Sequence, residues 1–165
     1  MARTGPVLIA FDGSAASRRA LEESAPLLAP RKALVVVVWE PDRAYDLVEP
    51  PSRVLDMPAS AMDIRVAFEV EEAMYRAAQD LAQQGAAIAK DHGLDAEGLA
   101  VADELKVPDT IVRVARDVDA PAIVLGAHNH GRLSELLLGT TSQAVVRRAP
   151  CPVVVVRDNA EDVQA

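Results

Sequence analysis

At 165 residues the chain suits one compact domain, and a hydrophobic share of 50% is enough for one buried core. Because only 3% of the residues are aromatic, this core must consist of Ala, Val, Leu and Ile, which are typical of parallel sheets and the helices that cover them. The formal net charge of −8 argues against a nucleic acid or an anionic membrane as partner, since both require a basic surface.

A strand, a helix and a second strand are predicted over residues 7–39. Val7–Phe11 is an apolar run that stops at the turn residues Asp12–Ser14. A helical pattern follows, and Pro26 and Pro30 are predicted to end it. Ala33–Trp39 is a continuous apolar run rich in valine, which is typical of a strand buried on both faces.

An irregular segment and a long helix are predicted next. Glu40–Ala67 carries four prolines and mixed polarity, which predicts an irregular excursion. Val70–His92 is rich in Ala, Glu, Gln and Leu and predicts a helix that ends at Gly93. The apolar face of this helix is predicted at Ala73, Ala77, Leu81 and Ile88.

Three strands and two helices are predicted in the remaining chain. The strands are expected at Leu94–Val101, Ala120–Leu125 and Pro152–Val156, and the helices at 108–118 and Gly139–Arg148. Strands and helices that alternate in this way predict an α/β, Rossmann-like fold, with a five-stranded parallel sheet, right-handed crossovers and helices on both faces.

The ends of the first and fourth strands are predicted to form the ligand site. In open parallel sheets, ligands bind at the carboxyl ends of the strands, where the winding direction reverses. These two ends, at Asp12–Ser14 and Gly126–Asn129, are the richest in Gly, Asp, Asn and hydroxyl residues. With the strand order 3-2-1-4-5 the two strands are neighbours, so their ends form one crevice.

The strongest local signal is the segment Gly126–Gly131, followed by Gly139–Ser142. A glycine turn at a strand end, and a second glycine with hydroxyl residues at a helix start, provide backbone donors and a positive dipole end for a phosphate chain. Such groups act locally, so the negative net charge does not exclude this ligand. From the spacing alone, the alternative that the glycines only shape turns is equally supported.

The sequence resembles the universal stress proteins. Their ATP-binding members carry Gly, two residues, Gly, nine residues, Gly and then Ser or Thr. Gly126, Gly139 and Thr140 stand at the first glycine, the third glycine and the hydroxyl position, and Asn129 stands at the middle glycine. Further similarity lies in three segments, Ala10–Ser14, Trp39–Pro41 and Ala149–Pro152. The resemblance covers residues 7–157 and implies the adenine-nucleotide alpha-hydrolase-like fold.

The resemblance also implies an ATP-binding regulatory module rather than an enzyme, with ATP bound alone or with Mg²⁺. It places Ala10 and Asp12 at the adenine and ribose, with Trp39 on the adenine side. It assigns Gly126, Gly139, Thr140 and Thr141 to the phosphates, and it adds His128 and Asn129 as nucleotide-binding residues. Asn129 is compatible with the turn, because Asn is the commonest residue after Gly in the left-handed conformation.

Lys106 stands where many relatives have glycine, and it adds a positive charge near the crevice. Together with Asn129 it leaves a rival hypothesis open: a universal stress protein that acts as an interaction protein without ATP. A nucleotide-using enzyme is a third possibility that no sequence motif supports.

No catalytic residue and no metal site are predicted. His128 and His130 would need one or two further metal ligands, and neither His92 nor Cys151 has a spacing that joins them. Cys151 lies between two prolines without a basic cluster, which indicates a buried or interface thiol. The chain contains neither a nucleophile elbow nor a Gly-Lys-Ser/Thr phosphate loop.

The same cysteine and the chain ends bear on location and assembly. Cys151 has no second cysteine for an internal disulfide, and Met1–Pro6 lacks an apolar core, which together favour the cytoplasm. One domain is expected over 1–165, with a core at 7–157 and an acidic tail at 158–165. The apolar strand Val153–Val156 is an aggregation hazard at a sheet edge, and the resemblance implies that it pairs with its copy in a homodimer.

Overall fold

The computed structural model describes residues 2–29, 31–41, 61–104, 106–127 and 139–157, with side chains from residue 65 onward in the segment that begins at 61. Within these residues the strands are β1 (Val7–Ala10), β2 (Lys32–Trp39), β3 (Asp95–Ala102), β4 (Ile123–Gly126) and β5 (Val153–Val156). The helices are α1 (Ala15–Leu28), α2 (Ala61–Asp91), α3 (Val107–Asp117) and α4 (Thr140–Arg148).

The strands form one parallel sheet in the order β3-β2-β1-β4-β5. Strand β1 lies at its centre, where Ile9 is paired with Val35 of β2 and with Val124 of β4. The predicted α/β fold and strand order are therefore confirmed. Both faces of the sheet are covered by helices, which is why continuous valine runs suit its strands.

Successive residues of the central strand pack into opposite cores, because side chains alternate across a strand. Ile9 packs with Leu21 of α1 and with alanines of α2 on one face of the sheet. Leu8 packs with Ile111 of α3 and with Val145 of α4 on the other face. This two-sided packing fixes the strand register and brings the carboxyl ends of β1 and β4 together.

Helix α2 differs from the prediction in its start and in its buried face. It begins at Ala61, so the prediction of an irregular segment over Glu40–Ala67 was wrong for its last seven residues, while residues 42–60 lie outside the described residues. Ala73 and Ala77 are exposed. The buried alanines of the described part of the helix are Ala67, Ala78, Ala82, Ala86 and Ala89, with Leu81 and Ile88 half-buried beside them. Alanine occurs on every side of this helix, so hydrophobicity alone does not identify the buried face.

Two proline positions also differ from the prediction. Pro26 lies inside α1, which continues to Leu28. The ring of Pro26 removes one hydrogen bond and crowds the carbonyl one turn earlier, but the helical bonding continues beyond it, because the N–H of Ala29 still donates to the carbonyl of Ala25 at 2.8 Å. Strand β4 begins at Ile123 rather than at Ala120, after Pro121, which has no N–H for the ladder.

Candidate functional site

The carboxyl ends of β1 and β4 open into one crevice of about 390 Å³. One wall is apolar and consists of Val36 and Val38 from β2, Val107 and Ile111 from α3, and Leu125 from β4. The other lining residues belong to the turn after β1, to the ends of β1 and β4, and to the first turns of α1 and α4. An apolar lining with a few convergent polar groups is typical of a small-molecule site.

The turn between β1 and α1 is held by its own side chains. Gly13 has a φ of +78°, a conformation that favours glycine. A carboxylate oxygen of Asp12 accepts the N–H of Ser14 at 2.9 Å, and the hydroxyl of Ser14 accepts the N–H of Ser17 at 3.1 Å. The hydroxyl of Ser17, itself buried, accepts the N–H of Asp12 at 3.3 Å. The start of α1 is thus capped by the protein, and Asp12 is fixed beside the crevice.

Gly126 lets the start of α1 approach the end of β4. A Cβ atom at Gly126 would lie 2.6 Å from the carbonyl oxygen of Ala16 and 3.0 Å from the backbone nitrogen of Ser17. No side chain fits in this space. The carbonyl of Gly126 accepts the hydroxyl of Ser142 at 3.2 Å, so the same residue also contacts the start of α4. Gly126 is required here for a close backbone approach rather than for an unusual φ.

Helix α4 begins without a side-chain cap. Gly139 is its N-cap residue and has no side chain to bond to the first-turn N–H groups, and no side-chain cap bond occurs there within the described residues. Thr140, Thr141 and Ser142 follow and line the crevice. The first N–H groups of a helix have no partner within the helix. The hydroxyl of Ser142 donates to the carbonyl of Gly126. The first turn of α4 therefore directs backbone donors and a positive dipole end toward the crevice.

Helix α3 begins at the same crevice. Its N-cap residue is Lys106, whose carbonyl accepts the N–H of Thr110 at 3.0 Å. The fully buried Thr110 donates its hydroxyl to the carboxylate of Asp103 at 2.9 Å, which ties the helix to the end of β3. Lys106 has an extended φ of −152°, so the backbone does not require glycine at this position.

The charges around the crevice favour an anion on its α4 side. Helices α1, α3 and α4 all start at its rim, and the first turns of α1 and α4 contain no acidic residue. Asp109 in the first turn of α3 is paired with Arg148 of α4. Among the described lining residues, Asp12 is the one titratable side chain. The crevice thus combines donors for an anionic group with a carboxylate that can accept from hydroxyl or amine donors.

Six of the predicted site residues lie together in this crevice, and their roles stay predictions. They are Ala10, Asp12, Gly126, Gly139, Thr140 and Thr141. The ring of Trp39 packs on Tyr75 of α2, with ring centroids 5.8 Å apart, while its neighbour Val38 takes part in the crevice wall. His128 and Asn129 lie outside the described residues.

The prediction missed Ser17 and the α3 wall. Ser142 belonged to the predicted segment Gly139–Ser142, but its burial and its bond to Gly126 were not predicted. Ser17 and Ser142 each lie in the first turn of a helix, where a serine is easily taken for a solvated residue. The spacing of Ser14 and Ser17 is the one signal that could have indicated the first of them, because a cap residue bonds three positions further along the chain. The position of Val107 and Ile111 depends on helix packing and has no local signal.

The remaining groups with possible chemistry lie apart from this arrangement. Cys151 is half-buried, and burial raises the pKa of its thiol, with Arg3 opposing the shift. Three or more His, Cys, Asp or Glu side chains that could share a metal ion do not occur together within the described ranges. No described helix combines the length and the apolar character needed to cross a membrane.

Comparison with known proteins agrees with this architecture. The profile of the Universal stress protein family matches residues 4–157. A universal stress protein from Thermus aquaticus is 43% identical over 49 residues, which are 30% of this chain and 36% of that protein. The matched segment spans about a third of the length of the curated relatives.

Solved structures extend the likeness to nearly the whole chain. Protein MJ0577 from Methanocaldococcus jannaschii has a TM-score of 0.70 at 18% identity, covering 96% of this chain and 99% of its own. A universal stress protein in complex with cAMP has a TM-score of 0.61 at 23% identity, covering 93% and 97%. A family protein from Arabidopsis thaliana with AMP bound has a TM-score of 0.60 at 19% identity, covering 98% and 96%. These structural likenesses concern the fold, and the family profile over residues 4–157 establishes that the chain belongs to the universal stress protein family.

Proposed function

We propose that the chain binds an adenine nucleotide in the crevice between β1 and β4, with ATP as the ligand, alone or with Mg²⁺. The observation that carries the proposal is the start of α4 at Gly139–Ser142, which has no side-chain cap at Gly139 and lines the same crevice as Asp12 and an apolar surface. A nucleotide has the complementary parts: a flat base for the wall, ribose hydroxyls for a carboxylate, and phosphates for helix N–H groups.

Each part of the nucleotide has a position in this proposal. The base lies against Val36, Val38 and Ile111, and the ribose donates to Asp12. The phosphates accept from the first turn of α4, where the threonine hydroxyls add donors. The AMP and cAMP found in two structural neighbours support adenine nucleotides as the ligand class.

Binding rather than catalysis is the proposed activity. Phosphoryl transfer to water needs groups that orient the water and neutralise the developing charge. Asp12 is the one titratable side chain among the described lining residues, and it already accepts the N–H of Ser14. We expect slow turnover at most, with the bound nucleotide acting on conformation or on partner choice.

Assembly and location form part of the same proposal. Strand β5 lies at an edge of the sheet and consists of four half-buried valines. Pairing of two such edges would remove them from water, which supports a homodimer. The lone Cys151 supports the cytoplasm, since a reducing compartment suits a protein without disulfides.

The proposal is tested by giving α4 the cap that it lacks. In Gly139→Asp the carboxylate would bond to the helix donors, since the φ of −56° and ψ of 157° at this residue suit an N-cap side chain. We expect stability to rise by a few tenths of a kcal/mol, while ATP affinity falls more than about tenfold through repulsion and lost donors. Calorimetry with ATP and thermal unfolding measure the two effects.

Gly139→Ala is the matched control, because its methyl group adds bulk without an acceptor. It should weaken ATP binding less than Gly139→Asp does.

The rival hypothesis, an interaction protein without ATP, gains support from Lys106 and Asn129, which replace glycines of many relatives. It would be favoured if wild-type protein released no nucleotide on denaturation and gave no heat with about 1 mM ATP, a limit near −4 kcal/mol.

A further inference from the structure

The sheet has a long edge and a short one. Strand β3 forms one edge with eight residues, and β5 forms the other with four. An edge strand presents unpaired N–H and C=O groups along its outer side, which can pair with a strand of another chain. The longer edge is therefore the greater hazard for uncontrolled association.

The hydrogen bonds between β3 and β2 show which backbone groups of β3 face outward. The N–H groups of Asp95 and Asp103 donate to carbonyls of Arg31 and Trp39, which flank and end β2. The backbone N–H and C=O groups of successive residues point to opposite sides of a strand. In β3 these groups therefore point toward β2 at odd-numbered residues and away from β2 at even-numbered residues. Gly98 and Ala100 thus carry outward groups at the middle of this edge.

Two glutamine side chains of α2 form hydrogen bonds with those outward backbone groups. The side-chain oxygen of Gln79 accepts the N–H of Ala100 at 3.1 Å. The side-chain nitrogen of Gln83 donates to the carbonyl of Gly98 at 3.3 Å. Gln79 accepts through its amide oxygen and Gln83 donates through its amide nitrogen. Together they make the hydrogen bonds that the backbone of a neighbouring strand would make.

The geometry of the helix and the strand matches this arrangement. Four residues of a helix rise about 6 Å, and two residues of a strand extend about 6.6 Å, so the two glutamines have nearly the spacing of their backbone partners. Helix α2 also lies directly against β3, because a Cβ atom at Gly98 would be only 2.4 Å from the carbonyl oxygen of Ala82. This close approach brings both amide groups to the edge.

We infer that Gln79 and Gln83 form an edge block, a pair of side chains that prevents a strand of a second copy of this chain from pairing with β3. Self-association through strand pairing is then confined to β5. Two open edges on one sheet would instead permit head-to-tail growth, whereas pairing through one edge closes at a dimer. The inference does not depend on nucleotide binding.

The double variant Gln79→Ala/Gln83→Ala tests the edge block. Alanine keeps the helix propensity of α2 and removes both amide groups. Sedimentation velocity over a range of concentrations should show assemblies larger than those of the wild-type protein, increasing with concentration. Gln84→Ala is the matched control, since Gln84 is an exposed glutamine of the same helix, and it should sediment as wild type does. A double variant with the wild-type distribution would overturn the inference.

A third substitution separates strand pairing from general aggregation. Adding Ala100→Pro to the double variant removes the outward N–H of β3 without removing a bond to β2, and proline at such an edge position blocks pairing. The larger assemblies should disappear. Their persistence would show that they form by another route and would contradict the inference.

Hydrogen exchange gives a readout that does not depend on association. In Gln79→Ala the amide of Ala100 should exchange about tenfold faster, because its side-chain acceptor is lost, while the amide of Leu99, which faces β2, keeps its rate. An unchanged rate at Ala100 would show that Gln79 does not protect the edge. A wild-type protein that is monomeric would contradict the proposed β5 dimer and would leave these comparisons valid.

Discussion

Of the three helices that start at the crevice, α1 and α4 begin in different ways. At the start of α1, Asp12, Ser14 and Ser17 satisfy one another's backbone groups. At the start of α4, Gly139 offers no side chain, and the first-turn donors remain directed toward the crevice. Since both helix starts carry the same dipole, the cap decides which of them serves an external anion. The sequence encodes this difference in a serine at one N-cap and a glycine at the other.

The largest effect is expected at the residue that holds the two helix starts together. Gly126→Val would place a side chain within 2.6 Å of the carbonyl of Ala16, so α1 or β4 must move. We expect a loss of more than about 3 kcal/mol in the free energy of unfolding, together with loss of nucleotide binding. Urea denaturation measures the first effect. A variant that is as stable as wild type would show that the close approach of α1 and β4 is not required.

A smaller effect, confined to binding, is expected at Asp12. Asp12→Asn keeps an oxygen that can accept the N–H of Ser14, so the turn and the stability should be preserved. Loss of the negative charge should weaken ATP binding by about fivefold to tenfold, because hydrogen bonds to charged groups are the stronger ones. Calorimetry checks this value. Tighter binding would mean that the carboxylate mainly repels phosphate and does not hold the ribose.

The opposite result, an effect confined to stability, is expected at Ser14. The hydroxyl of Ser14 caps α1 by accepting the N–H of Ser17 at 3.1 Å, and Ser14→Ala removes this cap. The unfolding free energy should fall by about 1 kcal/mol, with ATP affinity changed less than about twofold. Thermal unfolding and calorimetry measure the two quantities. Equal losses in both would show that the α1 start also binds the ligand, and the contrast between the helices would be lost.

The sequence was sufficient for the fold and for one side of the crevice. Alternating strands and helices predicted the parallel sheet. Glycine and hydroxyl residues after β1 and β4 predicted that Asp12 and Gly139 would line the same crevice. Helix α2 was predicted less well, because alanine is compatible with a buried and with an exposed position. Its buried face packs closely against β3 at Gly98, and no local pattern records this contact.

The polar contacts were the least predictable part. Gln79 and Gln83 resemble solvent-facing helix residues in the sequence, and each bonds to a backbone partner that only the tertiary structure brings near. The partners of the two glutamines lie 15 and 21 residues away along the chain. Side-chain to backbone bonds across such distances follow from packing and not from propensity.

With a nucleotide bound as proposed, the missing cap of α4 would link the lifetime of the protein to the supply of that ligand. A ligand that binds the folded chain alone adds RT ln(1 + [L]/Kd) to stability, which is about 1.4 kcal/mol when its concentration is ten times Kd. With nucleotide as that ligand, depletion would raise the unfolded fraction about tenfold and expose the chain to proteases. The abundance of the protein in the cell would then follow the nucleotide level without any change in its synthesis.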